Sequence, residues 1–74
     1  MQRYKNLGGD SGIDAYEIAP GSITVRFSDG KNYRYTDASA GADSVRRMQE
    51  LADSGQGLNE FINRVVKKNY AEKW

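Results

Sequence analysis

Two tyrosines and five basic residues in this chain have the side chains needed to hold a phosphate-bearing base: Arg26, Tyr33, Arg34, Tyr35, Arg64, Lys67 and Lys68. A tyrosine ring stacks on any base, since every base presents a π-face, at on the order of 1 to 3 kcal/mol per base. Guanidinium and ammonium groups meet phosphate oxygens through charge-assisted hydrogen bonds. Catalytic chemistry has no comparable set. The chain contains neither histidine nor cysteine, which removes the usual general base at neutral pH, the usual transition-metal ligand, the thiolate nucleophile and any disulfide. Asp10, Asp14, Glu17 and Asp29 lack metal-loop spacing, and no serine stands in a pattern that supplies it with a base. These residues predict a non-enzymatic binding module without cofactor or metal.

Each of these residues also has a plainer reading. Tyr33 and Tyr35 fit equally a core beneath a helix, with their hydroxyls at its edge. In that case Arg26 and Arg34, on the open face of the sheet, are the better ligand contacts, unless that face is simply solvated. Arg64, Lys67 and Lys68 flank an apolar stripe, where cations are also favoured by a helix C-terminus. Gly55-Gln56-Gly57 has free-amide potential for a phosphate, but no P-loop lysine-serine pair follows it, and a turn between helices accounts for it.

The elements that position these residues follow from hydrophobic period. Met1 to Leu7 suits a short edge strand, Gly8 to Gly12 a loop, and Ile13 to Ile18 a strand. Ala19-Pro20-Gly21-Ser22 is a turn in which proline presets one central dihedral and glycine supplies the positive one. The alternation Ile23, Val25, Phe27 then meets Tyr33, Tyr35 across Asp29-Gly30. A two-residue loop would put the tyrosines and the aliphatics on opposite faces. A three-residue loop Ser28-Asp29-Gly30 with a left-handed glycine pairs Val25 with Tyr33 and Ile23 with Tyr35, gathering the apolar side chains on one face and Thr24, Arg26, Asn32 and Arg34 on the other. Beyond Thr36 the period becomes helical. Val45, Met48 and Leu51 or Ala52 form one stripe ending at Gly55, with Asp43 to Arg47 and Arg46 to Glu50 suitably spaced for ion pairs. Leu58, Phe61, Ile62, Val65 and Val66 form a second, with Asn59 available as cap and Tyr70 as an extension. This stripe is the expected main cover for the sheet. The fold class is therefore α+β: a three- to four-stranded antiparallel sheet followed by two C-terminal helices packed on one face, in one domain over residues 1–74.

Composition bounds the partners. With 11 basic and 10 acidic residues the net charge is +1, too balanced for a general polyanion binder. Locally the balance shifts, since Arg64, Lys67, Lys68 and Lys73 face only Glu72 between Phe61 and Trp74. No apolar run is long enough to span a membrane, and Met1 to Lys5 lacks the apolar block of a secretion signal, so a cytoplasmic setting is expected.

A family resemblance covers Ser11 to Tyr70. The strand after Ser11-Gly12-Ile13, Tyr16, the strand ending in Phe27, the glycine turn at Gly30 and the Tyr-x-Tyr motif Tyr33-Arg34-Tyr35 together resemble the KTSC domain. Gly57-Leu58-Asn59-Glu60-Phe61-Ile62 and the ending Lys67-Lys68-Asn69-Tyr70 are similar to that family's later segments, while Ala38 to Asp43 departs from its proline-bearing helix start. The KTSC domain is a small module found alone in bacteria and phages and as an extension of some lysyl-tRNA synthetases. The resemblance implies RNA binding, and attaches no catalytic residues. The expected ligand is RNA or another phosphate-bearing nucleotide. The alternatives are an inhibitor or adaptor acting by protein contact, and a sponge for a nucleotide second messenger working as a homo-oligomer. A continuous basic surface favours nucleic acid, an exposed apolar patch a protein partner, and an enclosed basic pocket a small nucleotide.

Overall fold

The computed structural model describes residues 1–9 and 12–74. Asp10 and Ser11, within the expected glycine loop and at the start of the KTSC-like pattern, lie outside the described residues. Among the described residues five strands form an antiparallel sheet in chain order: β1 (Gln2–Arg3), β2 (Ile13–Ala19), β3 (Ser22–Phe27), β4 (Asn32–Thr36) and β5 (Glu72–Lys73). The two-residue edge strands raise the count above the expected three or four.

The β3–β4 hairpin has the three-residue loop. Ile23 pairs with Tyr35 and Val25 with Tyr33, Phe27 N–H donates to the Lys31 carbonyl at 2.9 Å, and Gly30, at φ 89°, closes the loop. Ile23, Val25 and Tyr35 are consequently buried together, while Thr24 pairs with Arg34 and Arg26 with Asn32 on the other face. Gly21, at φ 71°, completes the β2–β3 turn.

A one-turn helix, α1 (Asp37–Ala40), precedes α2 (Ala42–Ser54). Thr36 caps α1 reciprocally with Ser39, the Thr36 hydroxyl accepting from Ser39 N–H at 3.1 Å and Ser39 Oγ accepting from Thr36 N–H at 3.0 Å. The α2 stripe is Val45, Met48 and Ala52, and Gly55 ends the helix in the left-handed conformation. Its ion pairs run Arg46–Asp43 and Arg47–Glu50, three residues apart rather than four. Gln49 ties α2 to the β2–β3 turn by donating to the carbonyls of Ala19 and Ser22 at 3.2 and 2.9 Å. Covering the sheet falls to α2, which packs on β3 and β4 and carries the last helix beside it.

That last helix departs from expectation. It starts as α3 (Leu58–Phe61) with Gly57 at the cap position, and continues as a π-turn over Ile62–Val66. Asn59 does not cap it, and the Leu58 N–H instead donates to the hydroxyl of buried Tyr4 at 3.3 Å. In the π-turn Lys67 N–H reaches back five residues to the Ile62 carbonyl at 2.6 Å. A wider turn carries more than 3.6 residues, so the buried face becomes Leu58, Ile62 and Val66, and Val65 rotates out to 51 % exposure. Val65 is thus no core residue. Lys67, at φ 47°, stops the helix before Tyr70, and the chain returns to pair with β4. Among the described residues no helix is long and apolar enough to cross a membrane.

Candidate functional site

The chain reversal after Lys67 builds a cleft of about 420 Å³ between β4, β5 and the end of the π-turn. Its aromatic wall comes from alternation within the sheet. Tyr33 and Tyr35 project from the inner face of β4, and Tyr70, delivered by the returning chain, packs edge-on against both, at ring-centroid distances of 5.1 and 6.3 Å. Phe27 meets Tyr33 edge-on at 5.3 Å. Three lysines line the cleft beside this wall: Lys67, Lys68 and Lys73. Lys73 is there because it pairs with Tyr33 across β4–β5 and so shares its face, placing Nζ 5.4 Å from the Tyr33 ring centroid. Asp29, at the hairpin tip, and Asn63 supply the remaining polar lining.

The two tyrosines play different parts. Tyr33 is half-buried and edges the cleft. Tyr35 is only 1 % exposed, which closes its ring faces to base stacking and corrects its assignment as a stacking platform. Its hydroxyl donates to the Lys67 carbonyl at 3.4 Å. Burial, reinforced by neighbouring Tyr33 and Tyr70, pushes the Tyr35 hydroxyl up to about 12, so it remains a protonated donor throughout the physiological range.

Of the basic residues singled out in the sequence, only Lys67 and Lys68 reach this cleft. Arg26 and Arg34 lie on the outer face of the sheet, where Arg26 Nε donates to Asn32 Oδ1 at 3.2 Å and Arg34 forms an ion pair with Glu72. The register sets Glu17, Thr24, Arg34 and Glu72 in one row, so acids stand on both sides of Arg34. Arg64 pairs with Glu60 at 3.0 Å and borders a different groove, with Leu51, Phe61 and Val65. The arginines and the lysines therefore do not form one continuous basic surface. Phe27, Tyr70 and Lys73 join the site without having been singled out for it. The Gly55–Gly57 segment works as a turn: Gly55 N–H donates to the Leu51 and Ala52 carbonyls. Among the described residues no group of three acidic, histidine or cysteine side chains is placed to hold a metal ion.

No family model, curated protein or solved structure matches this chain.

Proposed function

We propose that this protein is a non-enzymatic module that binds a phosphate-bearing nucleotide in the cleft between β4, β5 and the π-turn. The observation that carries this reading is the meeting of an aromatic wall with Lys67, Lys68 and Lys73 in one concavity. Its volume lies within the roughly 300 to 1,000 Å³ of small-ligand sites. Base and phosphate need these two surfaces side by side, an aromatic edge for the one and ammonium groups for the other. A compact nucleotide fits better than a long single strand, because strand binding needs a basic track and the arginines sit on other faces, Arg34 and Arg64 in ion pairs and Arg26 hydrogen-bonded to Asn32. The resemblance to the KTSC domain, with its implied RNA ligand, supports the same ligand class.

The test is a fluorescence titration with mant-labelled AMP and with an end-labelled octauridylate. Lys68→Glu/Lys73→Glu is expected to weaken mant-AMP binding by on the order of tenfold or more, the loss of two charge-assisted contacts. Arg26→Glu/Arg64→Glu should leave it within about twofold, their contacts lying outside the cleft. Loss in the arginine variant alone, or tighter binding of octauridylate that depends on the arginines, contradicts the reading.

The protein-contact alternative has one feature in its favour. Val65, 51 % exposed, lies with Leu51 and Phe61 in a second groove of about 420 Å³ between α2 and the last helix, bordered by Arg47, Arg64 and Glu60.

A further inference from the structure

Lys67 has a backbone suited to a different residue. Asn69 N–H donates to the Val66 carbonyl at 2.8 Å, closing a four-residue turn over 66–69, and Lys67 occupies its first central position at φ 47°, ψ −114°. These angles belong to the mirror-image type II′ turn, where glycine is the ordinary occupant because a Cβ is crowded there. The only other described non-glycine residue at positive φ is Asn6, a type that tolerates the left-handed region. Lysine has no such tolerance.

The surroundings hold this conformation in place. The Lys67 N–H closes the π-turn on Ile62, and its carbonyl receives the buried Tyr35 hydroxyl. Lys67 itself lines the cleft with Lys68 and Lys73. Backbone strain and π-turns both concentrate where a side chain serves a ligand, and here they coincide on one residue that lines an aromatic-walled cavity. Resting on the nucleotide reading above, we infer that Lys67 is the residue that contacts the nucleotide's phosphate, its side chain being retained at a glycine position at the expense of stability. The phosphate lies at the π-turn end of the cleft, next to Lys67 and Lys68, and the base lies along Tyr33 and Tyr70.

The decisive variant is Lys67→Gly, which relieves the backbone while removing the ammonium group. Its urea midpoint is expected at or above the parent's, and its affinity for mant-AMP is expected to fall on the order of tenfold or more, as for loss of a charged hydrogen bond. Mant-adenosine, which lacks the phosphate, should bind parent and variant alike. Lys67→Arg, which keeps the charge, should retain most of the mant-AMP affinity without the gain in stability. A parent that binds mant-AMP no better than its Lys67→Gly variant overturns the assignment of Lys67 alone. A lower urea midpoint for Lys67→Gly overturns the strained-turn account. A parent that binds neither probe overturns the nucleotide reading itself.

Discussion

Met48→Ala and Ile62→Ala are each expected to lower the stability of this domain by about 2 to 5 kcal/mol, the range for truncating a buried methionine, leucine or isoleucine to alanine. Met48 is fully buried and Ile62 is 5 % exposed. They sit on the two helical segments that pack against each other, Met48 on the one that covers β3 and β4. A cavity at either place separates layers that a 74-residue chain cannot replace. Native domains hold only about 5 to 15 kcal/mol in all, and small ones lie toward the lower end, so either variant brings the chain close to unfolding. Val65→Ala is the internal control. The π-turn rotates Val65 into solvent, and its truncation should stay within about 0.5 kcal/mol. Urea melts of the three variants check the ranking. Equal losses for Val65 and Ile62 would mean that the last helix continues with α-helical period and buries the face predicted from its sequence.

Gly55→Ala should cost about 3 kcal/mol, which makes it the most damaging of the glycine-to-alanine changes. Gly55 adopts φ 83°, and an added Cβ would stand 2.6 Å from the Cβ of Lys5. The left-handed conformation costs a residue with a Cβ about 1 to 2 kcal/mol, and overpacking a further 1 to 3 kcal/mol. The segment cannot easily retreat, because the Gly55 carbonyl accepts from Leu7 N–H at 2.7 Å while its N–H holds the end of α2. Gly30→Ala provides the contrast. Gly30 has a similar φ of 89°, but nothing lies within 4 Å of its added Cβ, so only the conformational cost of about 1 to 2 kcal/mol applies. Gly30→Val should be worse than Lys31→Val for the same reason, β-branching being poorly tolerated at positive φ. Thermal melts of the two alanine variants give the comparison, and equal losses would remove the close approach of Lys5 to Gly55 from the account.

Much of the fold was legible where local chemistry and period agreed. The parity of Ile23, Val25, Tyr33 and Tyr35 around Ser28-Asp29-Gly30 specified the hairpin register, because only one loop length put every apolar side chain on one face. The stripe of Val45, Met48 and Ala52 with its stop at Gly55 was equally readable. The last helix was legible in its extent but not in its winding, because a π-turn inserts no distinctive residue; it changes only which members of an apolar run face inward, here keeping Leu58, Ile62 and Val66 inside and turning Val65 out. Glu72–Lys73 carries no alternating apolar pattern, and its pairing with β4 depends on a reversal at Lys67, a glycine-like backbone position that a lysine conceals. The candidate site inherits both gaps. Tyr33, Lys67 and Lys68 could be selected by residue type, but Tyr70 and Lys73 reach them only through that reversal, and the ion pairs that hold Arg34 and Arg64 elsewhere arise from register and helix spacing.

The central claim concerns place, and mapping the ligand onto the chain tests it most directly. Two-dimensional ¹H–¹⁵N correlation spectra recorded as AMP is added should show saturable shifts of the amides of Tyr33, Asn63, Lys67, Lys68, Tyr70 and Lys73, the residues that line the cleft. The amides of Ala15 and Arg26 on the outer sheet face, and of Leu51 and Val65 in the second groove, should stay in place. Saturable shifts confined to either of those surfaces, or none at any AMP concentration, would contradict the account.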